Sequence, residues 1–299
     1  MLRRAPDLHR IAGLTTRSAP IPRDLLPVVR QALSDRYDVE RELGRGGAAV
    51  VFLARTPEGT PVALKVLRPE LVVTVAAERF LREIRFIQTL DHPRIGRLID
   101  SGEKEWLVYY VMPFLEGPSL KSYLAKYTRM ALEDVLKVTR DLLDALEHAH
   151  SHGIIHRDVK PDNIILTREG AMLLDFGIAR AIAMSGQTSL TRSGIAVGTS
   201  TYMSPEQITA TREIDHRSDL YSLGCVLFEC VAGRPPFVHT SEGVVLHKHI
   251  NEPPPDLRVV TPLAPPSLAD AIARALRKSP DERWPSAAAM LEACLRASP

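Results

Sequence analysis

His156-Arg157-Asp158-Val159-Lys160-Pro161-Asp162-Asn163 is followed, twelve residues after Asn163, by Asp175-Phe176-Gly177. The stretch sets a proton-accepting carboxylate, a cation suited to phosphate oxygens, an amide and a second carboxylate close together in the chain. Hard divalent cations take oxygen ligands of the Asn163 and Asp175 type. Phosphoryl chemistry asks little covalent work of a protein. It asks for positioned metal ions, neutralised phosphate charge and an oriented nucleophile. A lone His-Arg-Asp usually marks a surface turn with a capped helix, but the full string with Asp-Phe-Gly at this spacing is far more specific.

Other stretches belong with it. Leu43-Gly44-Arg45-Gly46-Gly47-Ala48-Ala49-Val50-Val51-Phe52 lies in a hairpin context, where glycine lets backbone N–H groups approach an anion. By itself such a turn is as readily an ordinary hairpin. Lys65 lies within the apolar run Val62-Ala63-Leu64-Lys65-Val66-Leu67, where an ammonium needs a partner or a route to solvent. Glu83 follows on a helix whose inward face carries Phe80 and Ile84. Tyr110-Val111-Met112-Pro113-Phe114-Leu115-Glu116-Gly117 reads as a buried strand entering a turn. Gly198 to Glu206, Asp219, and Pro280-Asp281-Glu282-Arg283-Trp284 complete the set.

In this order, across about residues 37–296, these motifs resemble the protein kinase superfamily. The Lys160-Pro161-Asp162-Asn163 ending is similar to its serine/threonine branch. Ile178-Ala179-Arg180 and Ser204-Pro205-Glu206-Gln207 look most like the bacterial, eukaryotic-like group. The resemblance implies an α+β, bilobal fold, with a small antiparallel β-rich lobe bearing one main helix and a larger, mainly helical lobe. It implies ATP with Mg²⁺ or Mn²⁺ as cofactors and protein Ser/Thr hydroxyls as acceptors. Asp158 would orient the acceptor hydroxyl, while Lys160 and Lys65 neutralise phosphate charge and Glu83 pairs with Lys65. Asn163 and Asp175 would bind metal. Leu43, Gly44, Arg45, Gly46, Gly47, Ala48, Ala49, Val51 and Ala63 would surround the nucleotide, with Met112 at the back of the pocket and Leu115 as the backbone contact for adenine. His156, Arg157, Glu206, Asp219 and Arg283 would have structural roles, with Glu206 pairing Arg283 and Asp219 receiving backbone bonds from the catalytic loop. Phosphorylation at Thr191 or Ser193, engaged by Arg157, would order the segment after Asp175, and self-association would allow it in trans. Three positions depart from the pattern: Ala49 replaces the third glycine, Pro113 removes a backbone donor, and Ser204 replaces an alanine. Two alternatives remain, a catalytically silent nucleotide-binding scaffold and a small-molecule phosphotransferase on a related fold.

Bulk properties agree with a globular protein. The 299 residues are 45% hydrophobic and 25% charged. A net charge of +2 gives no reason to expect a nucleic-acid partner. Seven Arg and three Asp in residues 1–36 leave the remaining chain close to −2. Three cysteines (Cys225, Cys230, Cys294) lack metal-pair spacing, and their odd number speaks for a reducing, cytoplasmic setting. No apolar run approaches the ~20 residues that span a bilayer.

Residues 1–36 read as a partly disordered extension, with Leu25, Leu26, Val29 and Leu33 on one helical face behind an Asp24 cap. Residues 37–297 read as the catalytic domain, divided into lobes at 115/116. Strands are expected around Val39–Leu43, Val50–Leu53, Val62–Leu67, Arg97–Ile99 and Trp106–Met112. Helices are expected near 75–90, 132–149, 215–232, 242–250, 267–276 and 286–295, with the cleft near 112–118. His148, His150 and His152 alternate at a helix end, so no metal site is expected there.

Overall fold

The computed structural model describes residues 24–47, 49–68, 77–176, 200–210 and 213–296. The fold is α+β, in two lobes. The small lobe is built on an antiparallel sheet of β1 (Asp38–Arg45), β2 (Ala49–Arg55), β3 (Pro61–Leu67), β4 (Asp100–Lys104) and β5 (Leu107–Pro113), in the order β1-β2-β3-β5-β4. β2 and β3 pair without a break, whereas β1 slips register twice before the glycine turn.

Alternation along β5 assigns the two faces. Leu107, Tyr109 and Val111 point to one side, where they share a core with Val29 of α1 (Leu26–Ala32) and with Leu33, which caps its C-terminus. Val108, Tyr110 and Met112 point to the other, against Phe80 and Ile84 of α2 (Ala77–Ile87). The apolar face read in residues 25–33 is therefore packed on the sheet. Asp24 Oδ1 accepts the Leu26 N–H at 3.0 Å, and Pro27 occupies the first turn, where its missing N–H costs nothing.

One strand lies where the apolar pattern did not put it. β4 runs over Asp100–Lys104, not Arg97–Ile99, and Ile99 is exposed. Its sequence, Asp-Ser-Gly-Glu-Lys, has no apolar alternation because it forms the sheet edge, where charged residues discourage further pairing. Ile99 still donates its N–H to Val111 O at 2.8 Å, so the approach to the edge starts one residue before the strand.

The large lobe contains α3 (Leu120–Tyr127), α4 (Leu132–Ser151), the hairpin β6 (Ile164–Leu166) with β7 (Ala171–Leu173), then α5 (Pro205–Thr209), α6 (Arg217–Ala232), α7 (Glu242–Asn251), α8 (Leu257–Val260), α9 (Pro266–Ala275) and α10 (Ala287–Leu295). α3 is capped by Ser119, whose hydroxyl accepts the Ser122 N–H. α6 is buried around nearly its whole circumference, as an all-round apolar helix must be. The chain passes between lobes at Gly117, whose φ is +144° and where a Cβ would collide with Leu166 O.

Two buried polar arrangements hold this lobe together. Arg283 meets Glu206 through two 2.7 Å contacts, with both side chains shielded from solvent. Its other donors reach Arg277 O, Arg217 O and Lys278 O, so all five guanidinium N–H groups are used. Burial opposes the Glu206 charge, but Arg283 and the Ser218 hydroxyl more than offset it and hold the carboxyl below its usual range. Removing one partner of such a pair strands the other. Arg283→Met is therefore expected to lower unfolding free energy by about 3–5 kcal/mol in urea titrations. Arg283→Lys should not restore it, because an ammonium cannot supply five donors in a plane.

His249 links three segments. Its Nδ1 accepts the Tyr221 hydroxyl at 2.9 Å, and its Nε2–H donates to Thr201 O at 2.9 Å. Burial, then the nearby Lys278 charge, lower its pKa to about 4. The folded state therefore takes up its proton at lower pH than the unfolded chain does. The neutral ring contributes fully above about pH 6.5, and the contribution is lost as pH falls towards 4, with a slope of about 1.4 kcal/mol per pH unit. His249→Gln should flatten that part of the stability profile relative to the wild type.

Candidate active site

The loop between α4 and β6 owes its shape to a carboxylate on α6. Asp219, wholly buried, accepts the His156 N–H, the Arg157 N–H and His150 Nε2–H, each at 2.8 Å. Burial alone would raise its pKa, but the His150 bond and the surrounding donors hold it below the usual carboxylate range. Arg157 adopts φ +68°, which a non-glycine residue keeps only when neighbours impose it. Gln207 Nε2 completes the restraint by donating to Arg157 O at 2.7 Å.

That restraint directs the next residues into the cleft. Lys160 Nζ donates to both Asp158 oxygens, at 2.9 and 2.7 Å. Asn163 Nδ2 donates to Asp158 O at 2.8 Å and to Asp158 Oδ2 at 3.0 Å. Both amide hydrogens are thereby engaged, and Asn163 Oδ1 has no hydrogen-bond partner among the described residues. His156, buried, accepts the Asp158 N–H at Nδ1 and donates from Nε2 to Leu174 O at 2.7 Å. The imidazole thus joins the loop to the residue immediately before Asp175.

Asp175 meets the small lobe. Lys65 Nζ donates to its two carboxylate oxygens at 2.6 and 2.5 Å, and the Tyr110 hydroxyl lies 3.3 Å from Oδ1. Both members of the ion pair are mostly buried, so solvent screens it little. Glu83 belongs to α2, but its side chain lies outside the described residues, and with it the expected Lys65–Glu83 pair.

The walls come from the sheet and the connection. Val51 pairs with Lys65, and Ala63 with Met112, in the strand registers. Met112 is buried and Leu115 half-buried, and neither the N–H nor the C=O of Leu115 has a partner among the described residues. Leu43, Gly44 and Arg45 end β1, with Arg45 held bidentately by Glu42. Gly46 N–H closes the turn on Ala49 O at 2.8 Å. A Cβ at Gly44 would meet nothing within 4 Å, and one at Gly46 only Ala49 O at 3.6 Å. Packing among the described residues therefore does not require these glycines. Gly47 is in the described turn, while Ala48 and the segment with Thr191 and Ser193 lie outside the described residues.

Family comparison agrees with this geometry. The protein kinase domain matches residues 37–295. The chain belongs to the protein kinase family. Serine/threonine-protein kinase PknB of Mycolicibacterium smegmatis is 41% identical over 268 residues, covering 87% of this chain and 42% of that protein. PknB of Mycobacterium tuberculosis is 40% identical over 274 residues, covering 86% and 42%. Serine/threonine-protein kinase PksC of Streptomyces coelicolor is 42% identical over 278 residues, covering 89% and 50%. The chain thus spans half or less of the length of these relatives. The family implies use of ATP and a divalent metal.

The donor set of this kinase domain fits such a metal: an amide oxygen at Asn163 that is unengaged among the described residues and the Asp175 carboxylate are both hard ligands. Sequence reading missed His150 and Tyr110. His150 was one of three alternating histidines, and the structure separates them: His150 faces Asp219, while the rings of His148 and His152, four apart, meet at a tilt with centroids 4.5 Å apart. The spacing from His150 to an acidic residue of another helix carries no local signal. Asp219→Asn should cut activity at least tenfold while leaving nucleotide affinity within about threefold, as measured by turnover and calorimetry, because one acceptor oxygen becomes a donor facing the loop N–H groups.

Proposed function

We propose that this chain is the catalytic domain of an ATP-dependent serine/threonine protein kinase, transferring the γ-phosphate of ATP to Ser and Thr hydroxyls of proteins. The observation that carries the reading is the single network in which Asp158 is held by Lys160 and Asn163, beside an Asp175 already in contact with Lys65. The kinase domain would occupy 37–297, with α1 as a helix packed onto it.

In this reading Asp158 accepts a hydrogen bond from the acceptor hydroxyl and orients its oxygen towards the phosphate. Lys160, already on the Asp158 carboxylate, spreads its charge over the phosphoryl oxygens. Lys65 leaves part of its contact with Asp175 to hold the other phosphates. Asn163 Oδ1 and Asp175 would hold Mg²⁺ or Mn²⁺. The bound cation supplies charge neutralisation on the phosphates. Leu115 offers to adenine an N–H and a C=O that have no partner among the described residues, and the open space beside Gly44 and Gly46 admits the phosphates.

Phosphorylation at Thr191 or Ser193 by a second copy of the chain, with Arg157 as the receiving cation, is the proposed activating event. A cytoplasmic setting is supported by three cysteines that are all free and buried. No helix among the described residues is long and apolar enough to cross a membrane.

Asp158→Asn tests the assignment. Transfer to protein should fall by about 10²–10⁴-fold, while affinity for Mg²⁺–ATP stays near that of the wild type. Undiminished transfer by the variant would remove Asp158 from its role. Nucleotide binding by the wild type without any transfer would favour the scaffold reading.

A further inference from the structure

Tyr110 stands opposite Lys65 in the β3–β5 register, on the face of the sheet that lines the cleft. It is 2% exposed, and its ring packs against Phe80 at a centroid distance of 6.5 Å. The surrounding strand is an apolar run, and phenylalanine would fill the same volume without bringing a hydroxyl into the core. A buried hydroxyl needs a partner. Among the described residues the Tyr110 hydroxyl has one, Asp175 Oδ1 at 3.3 Å. The phenol hydroxyl faces a carboxylate oxygen, which only accepts, so Tyr110 is the donor.

The two oxygens of Asp175 are consequently unlike. Among the described residues, Oδ1 receives Lys65 and Tyr110, whereas Oδ2 receives Lys65 alone. Under the proposed function Lys65 must give up part of this contact to phosphate. Oδ1 then retains a donor and Oδ2 has none. We infer that Tyr110 is a positioning residue for Asp175: its hydroxyl holds Oδ1 against the cleft wall and leaves Oδ2 as the oxygen for the divalent cation. Lys65 cannot serve this purpose alone, because it bonds both oxygens and must move. The phenol is fixed by its strand and by Phe80, and it has no second acceptor among the described residues.

This inference rests on the proposed kinase reading, and the experiment separates the two. Tyr110→Phe removes one oxygen and keeps the ring. Binding of a non-hydrolysable ATP analogue is measured by calorimetry without metal and across a Mg²⁺ titration, alongside turnover and the melting temperature of the ligand-free protein. The variant should bind the metal-free analogue within about twofold of the wild type. Its apparent Mg²⁺ affinity should weaken about three- to tenfold, the loss expected for one hydrogen bond to a charged group at a long distance. kcat should fall with little change in KM for ATP, and the melting temperature should not drop. Tyr110→Met, which loses the ring as well, controls for packing. An unchanged or tighter Mg²⁺ affinity in Tyr110→Phe overturns the inference, as does a Mg²⁺ defect confined to Tyr110→Met. A wild type whose nucleotide binding ignores Mg²⁺ overturns the metal assignment itself and the inference with it.

Discussion

A carboxylate in the centre of the large lobe governs what happens at its surface. Asp219 lies beyond the reach of solvent on a helix buried on almost every side, and it accepts three donors at 2.8 Å. Two of them are backbone N–H groups of His156 and Arg157, so the carboxylate fixes main chain and not only side chains. The positive φ of Arg157 follows from that demand. A backbone state of this kind costs about 1–3 kcal/mol and persists only where several bonds impose it. With the turn fixed, Asp158 faces Lys160 and Asn163, and His156 reaches Leu174 O, which sets the approach to Asp175.

The small lobe reaches this arrangement at one charged contact. Lys65 and Asp175 are far apart in sequence and belong to different lobes, yet their side chains meet at 2.5–2.6 Å. The ammonium is held in place by a sheet covered on both faces, by α1 outside and α2 inside. Strand geometry thus decides where the Lys65 ammonium stands, and the loop after β7 decides where its carboxylate partner stands. Neither element could be shifted without separating the pair.

Much of this was legible in the sequence, for reasons that differ between elements. Asp158, Lys160, Asn163 and Asp175 could be read because their chemistry is concentrated in two short strings. α6 and α4 could be read because burial imposes a long apolar pattern. β4 could not, since an edge strand needs no apolar alternation, and Asp100–Lys104 resembles a loop. His150 and Tyr110 were hidden for a related reason. One was an ordinary polar residue on a helix and the other an ordinary aromatic in a buried strand. Their partners, Asp219 and Asp175, lie 69 and 65 residues away. Side-chain hydrogen bonds across such distances have no period and leave no local trace.

The account stands on phosphate leaving ATP in this cleft for a hydroxyl of Ser or Thr. The direct measurement is incubation of the purified protein with γ-labelled ATP and Mg²⁺, with a general protein acceptor, followed by phosphoamino-acid analysis of the labelled product. The account predicts label on serine and threonine that depends on Mg²⁺. Label found mainly on tyrosine, or nucleotide bound in the cleft with no label transferred to protein, would contradict it.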